Sequence, residues 1–261
     1  MLNLSQITEY YSAPERKFKR NILREYLQYK ILEIIFNSKE GQKMSFLGGT
    51  ALRIVYGSPR FSEDLDFDNF SLTEKDFAEL ADKIRVDLAK QGYRVEIKNI
   101  FKGAYRCYVK LPEVLFDNEL SNLRQEKIVI QVDTAPHLFG YDRELKNINK
   151  FDVFTQIYAT PVDIILSQKI YAALNRKRTK GRDFYDIVFL LSRTMPNYEY
   201  LNAKLGVKNG SDLKKMLLSK TADFDFETMA EDVKPFLTDD SGVKRVKLFL
   251  PYIKSLEMRR S

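Results

Sequence analysis

The chain has no tryptophan, one cysteine and one histidine, and each scarcity removes a kind of chemistry. The lone Cys107 excludes an internal disulfide and any thiolate-rich zinc site. It is expected to be a reduced, half-buried thiol. A single histidine, His137, excludes a two-histidine metal centre, and a Ser-His-Asp triad would have to use it although "TAPHLFG" carries no nucleophile motif. His137 therefore reads as structural, and a metal site here must be made of oxygen ligands. No run of about 18 apolar residues could span a bilayer, and the opening MLNLSQITEYYSAPERKFKR lacks the apolar core of a signal peptide. The expectation is a cytoplasmic protein that does not use a membrane.

What is present is enough for a real core: 261 residues, 44% of them apolar and 13% aromatic. The formal charge of +7 suggests a polyanionic partner, although a solvated basic surface has the same composition. Its densest run is "NRKRTKGRD", with Arg176, Lys177, Arg178, Lys180 and Arg182, and smaller basic groups lie at 16–20, 244–247 and 259–260.

The first half mixes helices and strands. A long helix is expected from Pro14 to Phe36, with Ile22, Leu23, Tyr26, Leu27, Ile31, Leu32 and Ile35 at helical spacing. "KMSFLGG" reads as a short buried strand ending in a glycine turn, and "TALRIVYG" as a short helix. A further helix runs from the cap Thr73 to Gly92, and "YRVEIKNI", "AYRCYVKL" and "KIVIQVDTAP" alternate like strands. After Pro161 the helical period dominates, over 161–178, 182–194, 198–205, 210–220, 225–233 and 242–257. The fold class is therefore α+β, with a mixed-sheet domain over 1–158 followed by a helical bundle over 159–261.

Chemistry concentrates in "RFSEDLDFDNF". In a strand Asp64, Asp66 and Asp68 share one face, while Leu65 and Phe67 take the other. Carboxylates about 6–7 Å apart resist joint ionisation unless a cation neutralises them, which suits a hard divalent ion. A solvent-facing acidic edge strand is the bland alternative. One short helix upstream, Gly48 and Gly49 stand directly before Thr50, a turn that brings bare N–H groups and a hydroxyl to a phosphate. Together the turn and the strand suit a metal-bound nucleoside triphosphate. Lys169 falls within the apolar stripe of Val162, Ile165, Leu166, Ile170, Ala173 and Leu174. An ammonium there needs an anion, either a nucleotide phosphate or an internal carboxylate.

"LGGTALRIVYGSPRFSEDLDFD" closely resembles the signature of the AbiEii/AbiGii toxin-type nucleotidyltransferases, a branch of the DNA polymerase beta-like nucleotidyltransferase superfamily that includes MenT-like toxins. "SQKIYAALNRKRTKGRDFYDIVFLL" is similar to the family's lysine helix and the Arg-Asp-x-x-Asp helix after it. The resemblance implies a nucleotidyltransferase fold in which Asp64 and Asp66 bind catalytic magnesium, or manganese in its place, with Gly48, Gly49 and Thr50 against the triphosphate. It implies a third carboxylate, for which Asp133 is the best candidate, though Gln131 shares its face and sits where some relatives have an acid. By the same resemblance Lys169 serves the nucleotide, and Asp186, less firmly Asp183, serves the active site, orienting Lys169 or the acceptor. Arg53 reads as structural, while Arg60 either contacts phosphate or pairs with the acidic strand.

The reaction so implied is attack of an acceptor hydroxyl on the α-phosphate of an NTP, with pyrophosphate leaving. The implied acceptor is RNA such as tRNA, received by Arg176, Lys177, Arg178, Lys180 and Arg182, and the implied partner is a cognate antitoxin. A protein or small-molecule acceptor, and a non-catalytic nucleic-acid-binding role, are the competing readings.

Overall fold

Leu65 and Phe67 turn inward and place one strand, and the sheet is assembled around it. The computed structural model describes residues 2–136, 138–176 and 178–257, so the readings made of His137, Lys177, Arg259 and Arg260 lie outside the described residues. The chain divides into two compact units, one up to Thr160 and one from Pro161 onward.

The first unit runs α1 (Leu4–Glu9), α2 (Lys19–Phe36), β1 (Met44–Leu47), α3 (Gly48–Ile54), β2 (Leu65–Asn69) and α4 (Glu74–Lys90). It continues with β3 (Glu96–Lys102), β4 (Ala104–Pro112), α5 (Val114–Asp117), β5 (Lys127–Pro136), β6 (Glu144–Lys150) and β7 (Val153–Ala159). The seven strands form one mixed sheet in the order β3-β4-β5-β2-β1-β7-β6. Strand β2 pairs parallel with β5 and antiparallel with β1, and β1 in turn is parallel to β7. Helices α2 and α4 pack on each other, α2 also on β7 and α4 on β3 and β4. Phe67 of β2 meets Phe46 of β1 at 5.4 Å and Phe36 of α2 at 6.1 Å between ring centroids. The apolar face of β2 is thus the core face, and its acids lie on the other.

The apolar stripe expected for α2 is buried throughout. The helix nevertheless starts at Lys19 rather than at Pro14. Ser12 donates from its amide (3.1 Å) and hydroxyl (2.7 Å) to the Glu15 carboxylate, and Arg16 Nε donates to the Tyr11 carbonyl at 3.0 Å, closing a separate turn ahead of it. Strands β6 and β7 were not foreseen. Cys107 is fully rather than half buried, and that burial pushes its thiol up to about 12.

The second unit contains α6 (Val162–Asn175), α7 (Gly181–Leu191), α8 (Tyr198–Leu205), α9 (Gly210–Lys220), α10 (Phe226–Glu231), α11 (Lys244–Lys247) and α12 (Phe249–Ser255). Phe184 centres its core, with ring centroids 5.0 Å from Phe226 and 4.8 Å from Phe249. At Gly181 a Cβ would collide with the Met229 carbonyl, so only glycine lets α7 start this close to α10. The expected helix over 242–257 is broken: a 3-10 turn (Asp240–Val243) leads into α11, and α12 begins only at Phe249. Pro251 explains the break, since it donates no N–H and its ring crowds the carbonyl four residues back, at Lys247. Helix α6 ends at Asn175, earlier than expected, and Arg176, Arg178 and Lys180 lie between it and α7 outside any helix.

Candidate active site

Strand β1 ends at Leu47 and α3 begins at once with Gly48, which takes a φ of +80° that L side chains rarely adopt. A Cβ there would also strike the Asp66 carboxylate, and one on Gly49 would stand 2.5 Å from Arg60 Nη2 and 2.8 Å from Ser62 Oγ. The two glycines therefore make a cradle into which the acidic strand and its lead-in press directly. Thr50 is buried and its hydroxyl donates to the Asp64 carbonyl, so its side chain fixes the approach to β2. Gln28 of α2 holds the same segment from behind, donating Nε2 to the carbonyls of Ser62 at 3.1 Å and Glu63 at 2.9 Å. Arg60, 2% exposed, donates Nη1 to the Phe61 carbonyl at 3.0 Å.

Arg53, later in α3, belongs to a different cluster. It donates Nε to Glu25 at 2.8 Å and Nη2 to Glu15 at 3.0 Å, while Lys150 reaches Glu25 at 2.7 Å. Burial alone would raise the Glu25 carboxyl, but the charges of Arg53 and Lys150 pull it below the ordinary carboxylate range. This network ties α2, α3 and β6 together beneath the glycine turn.

Across the sheet the acids fall into a row. Asp66 lies opposite Asp133 in the parallel β2–β5 pair, and Asp133 opposite Arg106 in the antiparallel β4–β5 pair. Directly opposed residues share a face, so all three side chains project from the side away from α2 and α4. Arg106 grips Asp133 as a fork, Nε to Oδ1 at 2.9 Å and Nη2 to Oδ2 at 3.0 Å. Gln131, the alternative for that position, instead serves Asp133, donating Nε2 to Oδ2 at 2.7 Å. The carboxylate in return raises the Arg106 guanidinium further above its ordinary value. Asp68 continues the acidic face and accepts from the Tyr141 hydroxyl at 2.8 Å, which also meets Thr160 Oγ1 at 2.8 Å. Arg106 and Gln28 carried no separate signal in the sequence: their importance depends on which residue stands across the sheet or beneath the loop.

In the second unit Lys169 of α6 pairs with both carboxylates of α7, with Asp183 at 3.1 Å and Asp186 at 2.9 Å. Three residues apart, the two acids share one helix face, and both are buried. Arg176 binds the second oxygen of Asp183 at 2.8 Å. Two cations thus balance two carboxylates, and Arg176, expected to contact RNA, is part of that balance. Arg182 stacks over the Phe236 ring at 4.5 Å, whereas Arg178 and Lys180 are exposed.

The donor set consists of hard oxygens: Asp66 of β2, against Gly48, and Asp64, which the sequence put on the same strand face but which stands just before β2 begins at Leu65. That set fits a magnesium-like cation, which characteristically takes one or two carboxylates and completes its shell with phosphate oxygens and water. Among the described residues no three His, Cys, Asp or Glu side chains gather as a metal-holding group, so Asp133 does not close a three-carboxylate set while Arg106 holds it. No helix among the described residues is long and apolar enough to cross a membrane.

Two solved structures from Helicobacter pylori resemble this one. One is JHP933, 19% identical with a TM-score of 0.55, the match covering 90% of this chain and 91% of that one. The other, provisionally named a nucleotidyltransferase, is also 19% identical with a TM-score of 0.55, covering 92% of this chain and 99% of that one. At this identity they show the shared fold alone. Among curated proteins none matches. The sequence profile of the family described as "Nucleotidyl transferase AbiEii toxin, Type IV TA system" matches residues 30–246, a span that includes the glycine cradle, the acidic strand and the Lys169 cluster. The chain belongs to this AbiEii family of toxin nucleotidyltransferases from type IV toxin–antitoxin systems.

Proposed function

We propose that the protein transfers a nucleoside monophosphate from an NTP to a hydroxyl of an RNA acceptor such as tRNA, in a reaction that depends on magnesium. The observation that supports this reading is the packing of the Asp66 carboxylate against Gly48, which would bring a backbone suited to phosphate beside hard oxygen ligands. Asp64 and Asp66 would hold the cation. When bound, magnesium, or manganese in its place, supplies Lewis-acid neutralisation of the triphosphate charge. Gly48 and Gly49 would offer backbone N–H groups to a phosphate, and Arg60, beside Gly49, supplies positive charge. Lys169 is assigned to the nucleotide, with Asp186 and Asp183 orienting its ammonium. The acceptor oxygen forms its bond to the α-phosphorus as the bond to the β-phosphate bridge breaks. Pyrophosphate leaves with that electron pair, and the hydroxyl proton passes to solvent.

The net charge of +7 and the exposed Arg178 and Lys180 favour an RNA backbone over an acidic or neutral acceptor. A cognate antitoxin and a cytoplasmic setting go with the family's place in toxin–antitoxin systems. The test is incubation with magnesium, each labelled NTP in turn and total cellular RNA plus protein, beside an Asp64→Ala, Asp66→Ala variant. Label in a tRNA-sized band that the variant abolishes is expected. Label confined to protein or small molecules would replace the RNA acceptor, and no label at all from a folded protein would refute the reading.

A further inference from the structure

Asp133 stands next to Asp66 in the sheet and belongs with the acids by position, yet its carboxylate is fully engaged. Arg106 contacts both its oxygens, at 2.9 Å through Oδ1 and at 3.0 Å and 3.1 Å through Oδ2, and Gln131 adds a contact to Oδ2 at 2.7 Å. Because Arg106 and Asp133 are directly opposed in β4 and β5, the fork is made without crossing to another layer of the fold. The two partners differ in access: the Arg106 side chain is 39% exposed and Asp133 19%. A guanidinium with a route to water can swing out by side-chain rotation alone, leaving the backbone ladder intact. A partly exposed ion pair of this kind is weakly held, and a divalent cation competes for a carboxylate with twice the charge.

We infer that Arg106 is a positioning residue that occupies Asp133 in the absence of a divalent cation and yields it when the cation binds, so that Asp133 joins Asp64 and Asp66 only in the loaded site. The inference rests on the reading that Asp64 and Asp66 bind the cation. Two consequences follow from the geometry. Arg106 offsets the charge of Asp133 beside Asp66 in the empty protein, and the carboxylate it releases is already aimed, because Gln131 retains its own contact. Cation binding and the Arg106 fork are then mutually exclusive at Asp133, and such coupling is reciprocal.

The test is a titration of the full-length protein with manganese alone, followed by the electron paramagnetic resonance signal of the free ion. The proteins compared are wild type, Arg106→Gln, Asp133→Asn, the double variant, and Asp64→Asn with Asp66→Asn as the control, each checked by thermal unfolding. Arg106→Gln is expected to bind manganese at least about fivefold more tightly than wild type, the lower end of ordinary coupling between sites. The gain should vanish when Asp133 is already Asn. Arg106→Lys, which keeps the charge but loses the fork, should show a smaller gain with the same dependence on Asp133, and it serves if the glutamine variant does not fold. No gain, or an equal gain in the Asp133→Asn background, would overturn the inference, the second outcome showing only a loss of repulsion through space. If Asp64→Asn with Asp66→Asn bound manganese as wild type does, the metal reading would fail as well, and the two failures would be told apart.

Discussion

Gly48 meets two demands that no other residue satisfies together. Its φ of +80° excludes ordinary side chains, and any Cβ would occupy the space taken by the Asp66 carboxylate. Gly48→Ala should therefore cost about 1–3 kcal/mol from the backbone alone and should also push Asp66 out of line. The expected result is a lower urea midpoint together with weaker manganese binding and loss of transfer. A variant with wild-type stability and metal affinity would show that the cradle is not needed. At this scale the sequence was partly readable. The face of Asp66 was legible because alternation in a strand assigns faces without any knowledge of partners, and the turn at Gly48 because two glycines before a helix mark one; Asp64, read as part of the same strand, instead precedes β2. Thr50 was placed against the triphosphate by resemblance, whereas its hydroxyl is used on the Asp64 carbonyl. Arg106 was invisible because an arginine in an alternating strand says nothing until the β4–β5 register puts it opposite Asp133.

Three elements are joined by one buried charge. Glu25 of α2 takes Arg53 of α3 and Lys150 of β6, and its side chain is 4% exposed. Glu25→Gln would leave two cations close together with half their partner gone, a change that costs about 3–5 kcal/mol when a buried pair is broken. Chemical unfolding at pH 7 should show it, and an unchanged free energy would mean that the network is compensated elsewhere. The pH dependence has a definite sign. Because the folded value of Glu25 lies below its unfolded value, its contribution is complete above the unfolded value of about 4.3 and is lost as pH falls through the lower folded one. The gap between wild type and Glu25→Gln should narrow over that acid range.

Elements with strong internal patterns, such as α2 and β2, were legible. Strand β6, "ELKNINK", was not: it is an edge strand of charged and amide residues whose conformation comes from its ladder with β7. The turn between them holds Phe151 at a φ of +61°, a conformation unfavourable to a bulky residue. Its ring is gripped by Tyr26 and Tyr29, each at 5.2 Å and nearly perpendicular, a tertiary cause that no local pattern announces. The C-terminal helix was read as continuous because its apolar spacing is continuous, but Pro251 overrides spacing by removing a donor.

At the scale of the whole molecule, a first unit carrying the glycine cradle and acid row and a second unit carrying the balanced Lys169 cluster lie in one chain with a charge of +7. The described basic residues after α6 divide by partner: Arg176 is committed to Asp183 and Arg182, in α7, stacks on Phe236, while Arg178 and Lys180 face water. Their share in RNA binding should weaken with salt, as counterion release requires. The central claim, nucleotidyl transfer at Asp64 and Asp66, is tested most directly by parallel reactions with the NTP labelled at its α- or its γ-phosphate. The account predicts that α-label enters RNA while γ-label appears only in pyrophosphate, and that Asp64→Ala with Asp66→Ala abolishes both. Transfer of the γ-label to the acceptor, or undiminished transfer by the double variant, would contradict it.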